Sequence, residues 1–159
     1  MYLYAEKYVS QVDYAVVGGE YTSVAKPEYA EIMEAAGMSD LPKTDFAGLE
    51  IKACIGYWRK ANAVHGWFVD NVQDGEDECK PHHVSREQLE ELKNECLQSL
   101  AVRAGATSIG DTLEPRAGFF FGSTEKDDWY YQDLVETVKI VDGALALDNN
   151  YSFIYQSSW

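Results

Sequence analysis

The run "CKPHH" places Cys79, His82 and His83 close together, and cysteine and histidine are the side chains that hold zinc. A structural zinc site takes four ligands in a tetrahedral array, usually supplied by two paired elbows. Here there is one elbow. Cys54 and Cys96 are the other thiols, and Cys96 falls on an apolar stripe where a small buried hydrophobe fits. No metal site is expected. "DNVQDGEDE", from Asp70 to Glu78, has the flavour of a calcium loop, with Asp74 and Gly75 where such a loop needs them. Val72 and Pro81 then occupy ligand positions, so the pattern fails. No G-x-S-x-G elbow and no glycine-lysine phosphate loop occurs, and "GFFFGST" has the wrong spacing for either. His65 beside a thiol or a carboxylate would make a catalytic pair. Its spacing from Trp58 and Phe68 instead predicts a core histidine bonded to a backbone carbonyl. No catalytic residue is assigned and no cofactor is implied.

Two groups of residues suit binding. Arg59, Lys60, Asn62 and His65 supply donors beside Tyr57, Trp58 and Trp67. Gly122, Ser123 and Thr124 offer amides and hydroxyls at a predicted helix start, a natural place for an anion. Together they would hold a nucleotide. In the competing reading the aromatics fill the core and Arg59 and Lys60 pair with surplus acids. The second group is acidic: Asp70, Asp74, Glu76, Asp77 and Glu78. The chain has 27 acidic against 13 basic residues, a formal charge of −14. That balance argues against direct binding of nucleic acid or anionic membranes, which rests on lysine and arginine. It suits solubility, and it also suits docking onto a basic groove of another protein.

The elements that must position these residues are legible in outline. Residues 2–9 and 48–55 read as strands. "DYAVVGGEYTSV" reads as a hairpin turning at Gly18-Gly19. Pro27 and Gly37 bracket a short helix over 28–36. A helix over 57–73 would carry Trp58, Ala61, His65, Phe68 and Val72 on one face, at a 3-4-3-4 spacing. Arg59, Asn62, Gly66 and Asp70 would lie elsewhere on it. "QDGEDECKPHH" follows as an acidic loop. Ser85 caps the next helix, Gln88 completes a capping box, and Leu89, Leu92, Cys96 and Leu100 form its buried stripe. A last helix, capped by Ser123 or Thr124, buries Tyr130, Leu134, Val138, Val141 and Leu145. Residues 151–156 close the chain as a strand. The expected fold is α+β: about three main helices packed on a small antiparallel sheet containing both termini, in one domain over residues 1–159.

Apolar residues make up 46% of the 159 and aromatics 13%, enough for a sizeable core. No apolar run approaches the roughly 20 residues that span a bilayer. The start, "MYLYAEKYVSQVDY", is too polar for a secretory signal, so a cytoplasmic location with reduced thiols is expected.

Five blocks carry a resemblance: "YLYAEKYV", "GYWRKANAVHGWFVDNVQDGEDEC", "VSREQLEELKNECLQ", "GFFFGSTEKDDWYYQDL" and "YQSSW". In order along the chain, they resemble a family of small proteins encoded by phages and prophages of Gram-positive bacteria. Residues 11–47 do not match that pattern, and His82 and His83 fall outside it. The resemblance implies a viral accessory protein. The first expectation is an acidic, non-enzymatic inhibitor in the cytoplasm of the host cell. It would act by stoichiometric binding to a host or defence protein with a basic nucleic-acid groove, CRISPR effectors being the leading target class. The alternative is a nucleotide or small-molecule binder that removes a signal. The third reading is a small hydrolase using His65.

Overall fold

A computed structural model describes residues 1–42, 44, 47–107, 112–118 and 123–158. Among them are six strands and four helices, an α+β architecture. The strands are β1 (Tyr2–Ser10), β2 (Val12–Val17), β3 (Glu20–Ala25), β4 (Gly48–Tyr57), β5 (His82–Val84) and β6 (Ser152–Gln156). The helices are α1 (Pro27–Ala35), α2 (Asn62–Val72), α3 (Arg86–Arg103) and α4 (Asp128–Leu145). One sheet runs β4-β1-β6-β5 and the other is the hairpin β2-β3. The chain divides into two compact units, one of residues 1–5 and 53–159, the other of residues 6–52.

The smaller unit is built from local signals. Gly18 and Gly19 both adopt positive φ, 64° and 89°, which only glycine adopts readily. They turn β2 back onto β3, with Val17 opposite Glu20 and Val12 opposite Ala25. Helix α1 starts at Pro27, whose missing N–H is harmless in a first turn.

The larger unit forms around α2. Every residue from Asn62 to Val69 is buried, so this helix is enclosed on all sides. Helices α3 and α4 pack on each other, and α2 packs on both and on β5. Phe68 lies face to face with Tyr155 of β6, ring centroids 3.9 Å apart, and also meets Trp58 and Trp67. At Gly56 a Cβ would come within 2.5 Å of Ile140, so glycine lets β4 lie close to α4. Ser85 and Gln88 form the full capping box of α3. No helix among the described residues is long and apolar enough to cross a membrane. The three cysteines are free thiols, and burial pushes that of Cys96 up to about 12.

Three expectations are corrected. The helix read over 57–73 begins at Asn62. The ladder between β1 and β4 continues through Trp58, whose amide donates to the Met1 carbonyl at 3.0 Å. Lys60 then turns with φ at 62°, which no helix accepts. Trp58 therefore reaches the core from the end of a strand, and its 3-4-3-4 spacing with the helix bridges two elements. Helix α4 is capped by Asp127, whose carboxylate accepts the Tyr130 amide, and not by Ser123 or Thr124. Ser123 Oγ instead accepts the Glu125 amide in the preceding bend. The stretch after α2 is not all loop, since His82–Val84 pair antiparallel with β6.

Phe68→Ala would empty a space bounded by three aromatic rings. It should cost about 3–5 kcal/mol, a large part of a domain's stability. Chemical denaturation followed by circular dichroism measures it. A loss below about 1 kcal/mol would show that the rings collapse into the space and that α2 is loosely held.

Candidate functional site

Arg59, Lys60, Asn62 and Ser123 line one cleft of about 280 Å³ in the larger unit. Two peptide segments build it: the turn from β4 into α2, and the stretch leading into α4. Asn62 Nδ2 donates to the Ser123 carbonyl at 2.7 Å and joins them. Helix α4 contributes Trp129, Asp133 and Leu134 to the wall.

The two cations stand out against the charge of the chain. Nine other lysines and arginines lie within ion-pair distance of an aspartate or glutamate. Arg86 spends its guanidinium on the carbonyls of Leu145, Leu147 and Asp148. Lys43 lies outside the described residues. Arg59 and Lys60 are exposed and have no ion pair or hydrogen-bonded partner among the described residues. With twice as many acids as bases, pairing is the default, and these two neighbours escape it. The left-handed backbone at Lys60 is itself costly, at about 1–2 kcal/mol for a residue with a Cβ.

The start of α2 adds to this. Ser85 caps α3 and Asp127 caps α4, but Ala61 precedes α2 and among the described residues no side chain caps it. The first amides of a helix lack partners within it and carry its positive end. Ala61, Asn62, Ala63 and Val64 all line the cleft. An anion seated there would meet two cations and a helix start that have no partner or side-chain cap among the described residues.

The cleft has an acidic side as well. The Asp127 carboxylate is occupied as the α4 cap. Asp133 is half-buried, and its carboxylate has no hydrogen-bonded partner among the described residues. Burial, and then the neighbouring Asp127, push its carboxyl up to about 6. The backbone beneath it is fixed: Trp58 Nε1 donates to Thr137 Oγ1, which donates to the Asp133 carbonyl.

His65 lies away from this cleft. It is fully buried, with Nε2 3.0 Å from Asp77 Oδ1 and Nδ1 2.6 Å from Tyr155 Oη. These partners are side chains, where the sequence predicted a backbone carbonyl. A carboxylate only accepts, so Nε2 carries the proton and Nδ1 accepts from the tyrosine hydroxyl. Burial lowers the His65 pKa, and Asp77 acts in the opposite sense. Burial raises that of Tyr155, which stays a donor.

The acidic stretch is largely engaged from within. Asp77 faces His65, Glu78 meets Lys80 and His82, and Asp70 pairs with Arg116. Gln73 Nε2 and Ser157 Oγ both donate to the Glu78 carbonyl. Asp74, in a left-handed turn, and Glu76 remain exposed. Thr124 is exposed beside the cleft segment, and Gly122 lies outside the described residues. Of the aromatics predicted to flank a ligand, Trp58 and Trp67 are buried, and Trp67 Nε1 donates to Glu95. The cleft is lined by the buried Tyr130 and by Trp129, which is 73% exposed and which sequence reasoning missed as a cleft residue along with Asp133. An indole two residues beyond the α4 cap, one turn before an aspartate, was the available signal. No family model, curated protein or solved structure matches the chain.

Two outcomes follow from this geometry. Lys60→Gly relieves the left-handed strain and should raise stability by about 1 kcal/mol, whereas Lys60→Ala keeps the strain and gains nothing. Equal melting of the two variants would mean the turn is unstrained. For His65, the lowered pKa means the folded state resists the proton. Its contribution to stability is complete above about pH 6.5 and is lost as pH falls below that. Nitrogen NMR of the imidazole at pH 7 should show the neutral Nε2–H tautomer. An Nδ1–H tautomer would overturn the assignment of donor and acceptor.

Proposed function

We propose that the protein acts by binding, and that its working site is the Arg59–Lys60 cleft, which takes a small ligand bearing an anionic group. One observation carries this reading: the two cations stay unpaired among the described residues of a chain with a formal charge of −14. The start of α2, with no side-chain cap among the described residues, supports it because its first amides add donors to the same cleft, and the Asn62–Ser123 bond holds the two segments of that cleft together. The two segments that meet there come from two of the sequence blocks with phage-like character. In this reading the protein is a viral accessory factor that sequesters a phosphate- or carboxylate-bearing metabolite in the host cytoplasm.

Thermal-shift titration with inorganic phosphate, pyrophosphate and a nucleotide panel tests it. A ligand at 100 times its dissociation constant should add about 2.7 kcal/mol of stability. Arg59→Ala should abolish the shift with little change in the melting of the free protein, since its side chain is exposed and unpaired. Asn62→Ala should also lower stability by about 1 kcal/mol, because Asn62 is buried and bonded. No shift with any anion, or a shift that survives Arg59→Ala, would remove the cleft from consideration.

A second reading rests on the charge as a whole. In it the protein inhibits a bacterial defence protein by occupying a basic nucleic-acid groove, with CRISPR effectors the leading class. Exposed acids such as Asp74 and Glu76 support it. Titration against a purified effector should then show competition with nucleic acid that weakens steeply with salt. Binding unaffected by salt would count against it.

A further inference from the structure

We propose that the ligand of the cleft is a guanine mononucleotide whose base is read by Asp133. The inference rests on the reading of the cleft as an anion site and adds what lies on its other wall. Arg59 and Lys60 account for a phosphate, but they leave the α4 side of the cleft unexplained. That side presents a carboxylate, Asp133, held half-buried and without a partner among the described residues. It also presents Trp129, an indole 73% exposed in a protein whose other described tryptophans are buried. A volume of about 280 Å³ admits one nucleotide and little more.

The chemistry of the bases decides among them. An ionised carboxylate has two acceptors and no donor. Guanine offers two adjacent donors on one edge, N1–H and N2–H. Adenine and cytosine place a ring acceptor beside their amino group, and uracil flanks its single N–H with carbonyls. Those three would set a lone pair against the carboxylate. Asp133 therefore selects guanine, while the exposed face of Trp129 suits stacking by any base.

The titratable groups that line the cleft with Asp133 are Arg59, Lys60, Glu125, Asp127 and Tyr130. The Tyr130 hydroxyl is occupied with the Leu113 carbonyl, and Asp127 caps α4. Burial, and then Asp127, push the Asp133 carboxyl up to about 6. Above that pH it is a double acceptor. As pH falls through it, the protonated form becomes one donor and one acceptor, and the guanine preference fades.

Calorimetric titration of the full chain with GMP, AMP, CMP, UMP and inorganic phosphate at pH 7.5 tests this. GMP should bind about tenfold or more tighter than the other three nucleotides. Asp133→Asn should erase that preference without weakening phosphate binding, since it removes a negative charge from the cleft. Trp129→Ala should weaken all four nucleotides together and spare phosphate. Arg59→Gln should weaken phosphate and every nucleotide. At pH 5 the wild-type preference for GMP should shrink. Four nucleotides bound alike, or a guanine preference that survives Asp133→Asn, would overturn the base-reading role while leaving the anion site standing. Absence of binding by phosphate and all nucleotides would remove both.

Discussion

Helix α2 has no face turned to water between Asn62 and Val69, and the larger unit is organised by the need to surround it. Such a helix brings its polar groups into the interior, where each must find a partner or lose free energy on the order of a few kcal/mol. His65 and Asn62 are the two at issue. His65 is met from outside the helix by Asp77 and Tyr155, which ties the segment after α2 and strand β6 to the same imidazole. Asn62 is met by the Ser123 carbonyl, which ties the approach to α4 to the first turn of α2. The hydrogen bond that satisfies Asn62 thus also joins the two segments of the cleft. The cleft is a by-product of the enclosure, formed at the first turn of the helix.

Charge sets that cleft apart from the rest of the surface. In a protein with balanced charges, two unpaired basic residues on a surface turn would attract no attention. Exposed ion pairs are each worth at most about 1 kcal/mol, and many are worth nothing measurable. Here the acids outnumber the bases two to one and the rest of the described cations are engaged. Long-range attraction should draw Arg59 and Lys60 toward carboxylates as well. Among the described residues no carboxylate comes within ion-pair distance of either, although Glu125, Asp127 and Asp133 line the same cleft. The Asp127 carboxylate is committed to the Tyr130 amide of α4.

Much of this was legible in the sequence where the signal was local. The Gly18-Gly19 hairpin, the Pro27 helix start and the Ser85–Gln88 box all depend on residues a few positions apart, and the structure has them all. The burial of Phe68 and His65 was legible from their spacing. What the spacing could not show is that Trp58 directly follows a strand and not a helical turn, because an indole arriving from a neighbouring element satisfies the same periodicity. Strand β5 was missed because three residues carry no pattern, and its partner β6 lies far along the chain. Arg59, Lys60, Asn62 and Ser123 were singled out by residue type as two separate groups, and only the fold shows them around one cleft. Asp133 and Trp129 sit in a stretch that reads as an ordinary amphipathic helix. Their significance depends on what is absent around them, which no sequence window displays.

Arg86 joins distant parts of the larger unit in a different way. It is the first residue of α3, yet its guanidinium takes the carbonyls of Leu145, Leu147 and Asp148, where α4 ends, and lies over the Phe153 ring. Helix α4 has no basic residue in its own last turn. Its terminating partner is therefore encoded some sixty positions upstream. The two helices are locked in relative length: a residue inserted into α4 would carry its final carbonyls about 100° around the axis and out of reach of a donor whose position α3 fixes. Change in this protein by insertion or deletion is thereby steered away from α4. A polypeptide severed between the two helices would yield a carboxyl-terminal piece that lacks the group defining where its own helix stops.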